Sequence, residues 1–254
     1  MFGEQDDAAY LSGGHTLLPT IKQGLARPSA LVDLSRIPGL RHIEEADGRV
    51  SIGAGTCHAD VAASPVVRLA IPALAGLAGS IGDRHVRNRG TIGGSVANND
   101  PAADYPAAVF GLGAAVITDR REIPADDFFV SLFETKLEPG EIITRIVFPI
   151  PQIAAYAKFR SAASRYSVAA VFISRSGQGV RVAVTGAGAQ GVFRARDLEA
   201  ALSKDFRPEA LAGLHVDPAT MLEDLNGTPE YRAHLIMVMA RRAMENLGTA
   251  QSYK

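Results

Sequence analysis

Apolar and polar positions change their period along the chain, and the changes mark out its elements. Leu17 to Gly24 carries apolar residues at helical spacing, with Pro19 in the first turn, where proline is tolerated. Ser29 to Leu34 reads as a short buried strand, and Arg41 to Ile43 begins another before the turn Asp47-Gly48. Arg49 to Ile52 alternates and predicts a strand leaving that turn, with Gly53-Ala54-Gly55 as a bend. A helix starting near Thr56 is expected. Ala59 to Ala63 and Ile71 to Ser80 are alanine-rich and apolar, as in helices buried against a sheet, with Pro65 and Pro72 as punctuation. Tyr105 to Leu112 predicts a helix, Ala114 to Thr118 a strand, Asp126 to Phe133 a short helix, and Ile142 to Phe148 a β-branched strand. Pro149 and Pro151 then mark a boundary, because proline lacks the N–H that a ladder needs.

Beyond that boundary the pattern becomes an antiparallel meander. AYAKFRSA, SVAAVFISR and VRVAVTGAG predict three strands, the last two joined through a turn at Ser176 to Gly179. Phe193 to Leu202 and Pro229 to Asn246 have apolar residues three and four apart and predict helices. The second has proline at its start and Arg241 and Arg242 near its end, where they favour the dipole. The expected class is α+β.

Composition narrows the function. A chain of 254 residues, 47% hydrophobic and 21% charged, supplies apolar material for one large or several small cores. A net charge of -1 gives no electrostatic footprint for nucleic acid. No apolar run reaches the ~18 residues of a membrane span. The acidic start MFGEQDDAAY does not look like an export signal, so the cytoplasm is expected. Cys57 is the single cysteine, which rules out an internal disulfide and a four-thiolate iron–sulfur cluster on this chain. Cys57-His58 is read as structural, since no further Cys or His cluster completes a metal site.

Two glycine pairs carry the candidate chemistry. One lies in LSGGHTLLP, Leu11 to Pro19; the other lies in VRNRGTIGGSVANNDPAADYP, Val86 to Pro106. Glycine lets successive N–H groups point into one concavity, and such a nest binds a phosphate without a cationic side chain. Two nests suit the two phosphates of a pyrophosphate, and Asp104 suits the hydroxyls of a sugar or polyol. The plain alternative is a pair of tight turns. The basic cluster Arg84, His85, Arg87, Arg89 invites an anion-binding reading, but arginines that cap helix carbonyls or face an acidic partner explain it more simply. Gly186 to Gly191, GAGAQG, fits a dinucleotide fingerprint formally; its strand belongs to an antiparallel hairpin, whereas the fingerprint needs a parallel βαβ unit.

The ordered series SGGHTLLP, VRNRGTIGGSVANNDPAADYPAA, IPADDFF and PGEIITRIVFPIP resembles the FAD-binding medium subunit of molybdenum hydroxylases, of the aerobic carbon monoxide dehydrogenase and xanthine dehydrogenase family. The resemblance covers nearly the whole chain. It implies a PCMH or vanillyl-alcohol-oxidase type FAD-binding domain of two α/β subdomains, at 1–47 and 48–151, and a C-terminal domain at 152–254 built on a three-stranded antiparallel sheet with helices. In that family a strand and a helix precede the first glycine loop, whereas about one helical turn of sequence precedes it here.

The resemblance also implies the site. Leu11, Ser12, Gly13, Gly14, His15, Thr16, Leu17 and Leu18 would wrap the FAD pyrophosphate. Thr91, Ile92, Gly93, Gly94 and Ser95 would form the second loop, with Ser95 where some relatives have Asn or Asp. Asp104 would bind flavin hydroxyls, and Ile81 and Ile143 would line the pocket. Lys158 and Tyr166, in YAKFRSAASRY, match positions near the isoalloxazine ring, with Tyr156 the neighbour most easily confused with them. The expected function is electron transfer from a [2Fe–2S] small subunit, fed by a molybdenum-cofactor large subunit, to an external acceptor, in a dimer of heterotrimers. No catalytic acid–base pair stands out. The alternatives are a flavin-free scaffold of the same fold and a nicotinamide-dependent dehydrogenase using GAGAQG.

Overall fold

In a computed structural model, which describes residues 7–247, the chain builds two main sheets that share α-helical layers. Strand β1 (Ala9–Leu11) leads through the first glycine loop into α1 (Leu17–Lys22) and pairs in parallel with β2 (Leu31–Asp33). Next come β3 (Ile43–Ala46) and β4 (Arg49–Gly53), a hairpin turning at Asp47-Gly48, both in the left-handed region that a tight hairpin requires. Four short helices follow: α2 (His58–Ala63), α3 (Pro65–Ala70), α4 (Pro72–Ser80) and α5 (Arg84–Arg89). Prolines at the first positions of α3 and α4 occupy places where the N–H has no helical partner to lose.

The second glycine pair enters α6 (Ile92–Asn98), and α7 (Tyr105–Leu112) crosses behind it. Strands β5 (Ala115–Thr118) and β6 (Glu122–Pro124), the single turn α8 (Ala125–Phe128), the small hairpin β7 (Phe129–Ser131) with β8 (Glu134–Thr135), and β9 (Ile143–Pro149) complete this half. The five-stranded sheet has the order β3-β4-β9-β5-β6. The C-terminal half contains β10 (Ile153–Arg160), β11 (Ser167–Ser176), β12 (Gly179–Thr185), β13 (Phe193–Arg194), α9 (Arg196–Lys204), two 3-10 turns and α10 (Pro229–Glu245).

The structure amends three expectations. Strand β3 pairs with β4, so a boundary at residue 47 falls inside a hairpin and residues 43–46 join the second sheet. The stretch Asp126 to Phe133 is one helical turn followed by a strand, because Phe129 and Ser131 pair with Thr135 and Glu134. The C-terminal sheet has four strands, not three: Phe193 and Arg194 pair with Val184 and Ala183, and this edge strand delays the helix start to Arg196.

Two apolar clusters fill the interior. One lies among α2, α3, α4, α6 and α7, the five-stranded sheet and the near face of the C-terminal sheet, where Tyr156, Ala170, Phe172 and Ala183 contribute. The other packs α9 and α10 on the far face. Strand β11 is therefore apolar at almost every position, from Val168 to Ile173, as a strand covered on both sides must be. Phe172 lies close enough to α7 that a Cβ on Gly111 would come within 2.8 Å of its ring.

Candidate functional site

A cavity of about 560 Å³ opens between the first glycine loop, α5, α6, the start of β9 and the 161–166 loop of the C-terminal half. Its size lies within the roughly 300–1,000 Å³ of small-molecule sites. Of the expected site residues, Ser12, Gly13, Gly14, His15, Thr16, Leu17, Ile81, Thr91, Gly93, Gly94, Ser95, Asp104, Ile143 and Tyr166 line it. Leu11 lies in β1, Leu18 is partly exposed and lies against Gly14, Ile92 is wholly buried in the core, and Lys158 is buried against Asp104.

The two glycine pairs do different things. In the first loop the backbone N–H groups of Ser12, Gly13, Gly14, His15 and Thr16 have no acceptor among the described residues. Gly14 is left-handed, at φ 76°, which reverses the direction of successive amides. Gly13 packs against the junction of α5 and α6: a Cβ there would lie 2.8 Å from Gly90 Cα and collide with the Arg89 carbonyl. In the second pair, Thr91 caps α6 and the amides are already engaged. Ile92 donates to the Thr56 carbonyl at 3.0 Å, Gly93 to Ala54 at 2.9 Å, Gly94 to Thr91 Oγ1 at 3.2 Å and Ser95 to the Thr91 carbonyl at 3.0 Å. The expected second nest is therefore a helix start whose glycines serve close packing. A Cβ on Gly93 would lie 2.8 Å from Ala54 Cα. Thr91 Oγ1 also meets Ser12 Oγ at 2.9 Å and ties the two loops together.

Asp104 is buried at the far wall and is held by three donors from the C-terminal sheet. Lys158 Nζ donates to Oδ2 at 2.9 Å, Ser167 Oγ donates to Oδ1 at 2.9 Å, and the Tyr156 hydroxyl donates to Oδ1. Tyr156 and Lys158 are two apart on β10 and so share one face. The lysine expected at the flavin ring thus acts on Asp104, and Tyr156, set aside in the sequence, acts with it. Thr185 Oγ1 donates to the Ala103 carbonyl at 2.7 Å and fixes the same loop. Tyr166 is 48% exposed at the rim, and burial of part of its ring, with the charges of Asp100 and Asp104, raises its phenol above the ordinary value.

Sequence reasoning passed over three further lining groups. Arg165 is left-handed at φ 63° and reaches the Gly82 carbonyl at 3.5 Å. Glu141 accepts from Arg121 at 3.0 and 2.9 Å and from Thr118 at 2.7 Å, and Arg121 foremost lowers its carboxyl to about 2. His58 is buried, and burial lowers its imidazole to about 4. In the basic cluster, Arg87 caps the Ile81 and Gly82 carbonyls at 2.9 and 3.1 Å. The GAGAQG stretch is no dinucleotide loop: β12 is antiparallel to both neighbours, and Gly186 donates to the Pro101 carbonyl at 2.8 Å. Among the described residues there is no cluster of His, Cys, Asp or Glu fit to hold a metal and no helix long and apolar enough to cross a membrane.

Residues 1–151 match the family described as the FAD binding domain in molybdopterin dehydrogenase. The chain belongs to that family. FAD is its cofactor, and the chain is the FAD-binding medium subunit of an oxidoreductase of the molybdenum hydroxylase family. It is 36% identical to the carbon monoxide dehydrogenase medium chain of Hydrogenophaga pseudoflava, over 94% of this chain and 88% of that one. It is 33% identical to the nicotine 6-hydroxylase medium subunit of Paenarthrobacter nicotinovorans, over 98% and 92%. Among solved structures, carbon monoxide dehydrogenase from Hydrogenophaga pseudoflava superposes with a TM-score of 0.86 at 34% identity, covering 96% of this chain and 91% of that one. Quinoline 2-oxidoreductase from Pseudomonas putida 86 superposes at 0.83 with 27% identity, covering 96% and 90%. The residues present fit the cofactor physically: loop amides unengaged among the described residues suit a diphosphate, and Gly13 and Gly90 let that loop lie directly against the end of α5 and the His58 ring at the cavity.

Proposed function

We propose that this subunit carries electrons from a [2Fe–2S] partner subunit to an external acceptor. The observation that carries the reading is the row of five N–H groups, Ser12 to Thr16, that have no acceptor among the described residues and border the cavity. Those amides would hold the diphosphate, and the Ser12–Thr91 hydroxyl contact would fix the loop that presents them. Asp104 keeps acceptor capacity on Oδ2, where Lys158 is its one partner among the described residues, and would orient a hydroxyl of the ribityl chain. Tyr166 would cover the ring at the rim. FAD, when bound, supplies the electron-carrying chemistry, and the chain supplies binding, orientation and electrostatics.

The partners follow from what this chain lacks the residues to hold. With Cys57 its single cysteine, a four-thiolate cluster belongs to another chain, as does the molybdenum cofactor with the substrate site. The assembly proposed is a dimer of heterotrimers in the cytoplasm.

The test is the visible spectrum of the purified chain after incubation with excess FAD and desalting. About one flavin retained per chain, lost in Gly13→Val, supports the reading, together with co-purification of an iron–sulfur subunit when the partners are co-expressed. A chain that retains no flavin, alone or with its partners, would overturn it.

A further inference from the structure

Two fully buried polar atoms have no hydrogen-bond partner among the described residues and belong to rings in contact: Nδ1 of His58, which lines the cavity, and the hydroxyl of Tyr105 behind it. Buried polar groups are almost always paired, so such atoms point to a ligand or an ordered water. His58 is the first residue of α2, 4% exposed, and its backbone N–H donates to the Gly90 carbonyl at 3.0 Å. Its ring lies against that of Tyr105, with centroids 5.3 Å apart and planes tilted by 51°. Burial keeps the imidazole neutral at neutral pH, which leaves one ring nitrogen a donor and the other an acceptor.

Gly90 gives that ring its outlook. A Cβ at position 90 would lie 2.5 Å from His58 Nε2, so any residue but glycine there would cover this nitrogen. Gly90 is also the residue against which Gly13 packs, and both line the cavity with His58. The uncovered edge of the imidazole therefore adjoins the loop with the unengaged amides. Resting on the flavin reading above, we infer that His58 is a further FAD-binding residue: it carries its proton on Nε2 and donates past Gly90 to an oxygen of the diphosphate, while Nδ1 accepts from the Tyr105 hydroxyl through one water. The bond at Nδ1 selects the tautomer. A neutral donor suits a wall that would have to bury a cation whenever the site empties.

The test compares FAD with riboflavin, which lacks the diphosphate, on the full chain and on His58→Phe, which keeps an aromatic ring against Tyr105. The expected result is a loss of about tenfold to a hundredfold in FAD affinity, the range for a hydrogen bond to a charged group, with riboflavin affinity within about twofold of the parent. Histidine nitrogen spectra of the FAD complex should place the proton of His58 on Nε2, and Tyr105→Phe should shift that tautomer balance. Equal losses for both ligands would reduce His58 to packing and overturn the inference, as would unchanged FAD affinity or a proton on Nδ1 in the complex. A parent chain that binds no FAD would instead remove the flavin reading itself.

Discussion

Replacing Lys158 with methionine should destabilise the fold far more than it weakens flavin binding. The side chains of Lys158 and Asp104 are 2% and 5% exposed, and their 2.9 Å contact is the sole hydrogen bond to Oδ2 of the carboxylate among the described residues. Methionine matches the length of the stem but leaves the buried charge with only the hydroxyls of Tyr156 and Ser167, both on Oδ1. Breaking one side of a buried pair costs roughly 3–5 kcal/mol, and the two remaining donors argue for the lower end, about 3 kcal/mol. Against a total stability of roughly 5–15 kcal/mol this is a large share. The double variant Lys158→Met with Asp104→Asn removes the orphaned charge and should recover about 1–3 kcal/mol of the loss, the size of coupling between contacting residues. Urea unfolding followed by circular dichroism and tyrosine fluorescence measures both, the chain having no tryptophan to report on. A single variant costing under about 1 kcal/mol, or a double variant no more stable than the single, would show that Lys158 does not serve Asp104.

Gly13→Ala should abolish FAD retention on desalting, because the new Cβ meets backbone at Arg89 and Gly90 that has no rotamer to yield; retention equal to the parent would refute the close approach. Thr91→Ala removes the cap of α6 and the link to Ser12, and should cost about 1 kcal/mol in thermal unfolding. It should also weaken FAD binding, whereas an unchanged melting temperature would count against the cap. Glu141 has a folded pKa lowered from 4.5 to about 2, so its contribution to stability is full above about pH 4.5 and is lost as pH falls towards 2. Arg121→Gln should flatten that part of the acid-unfolding curve, and a curve of unchanged slope would refute the assignment.

Much of the architecture was legible because period and punctuation agree locally. The alternation at Arg49 to Ile52, the prolines opening α3 and α4 and the meander after residue 152 all carry their own signals. Strand β13 carried none, since two residues at a sheet edge show no period. The strand at Phe129 to Ser131 had its β-favouring aromatic and valine, outweighed in reading by the acidic pair Asp126-Asp127 just before it. The glycine pairs looked alike in sequence, yet one follows a strand and the other a helix cap. Thr91, with Ile92 and Val96 four apart beyond it, held that distinction. Tyr156 and Lys158, two apart on a strand, were readable as one face. His58 was not readable, because its meaning comes from Gly90 and Tyr105, brought to it only by the fold.

The shared core between the two halves has a consequence for how the protein can be divided. The flavin-domain match stops at residue 151, but Tyr156, Ala170, Phe172 and Ala183 complete the apolar cluster beneath it, and the three side-chain donors to Asp104 come from beyond the same point. The segment that the flavin-domain family matches is therefore smaller than the segment that folds as a unit. A fragment cut at that border would bare the side of α7 that Phe172 covers and strand a carboxylate in a cavity wall. Exchange of flavin modules between relatives would have to carry β10 to β12 along as part of the module.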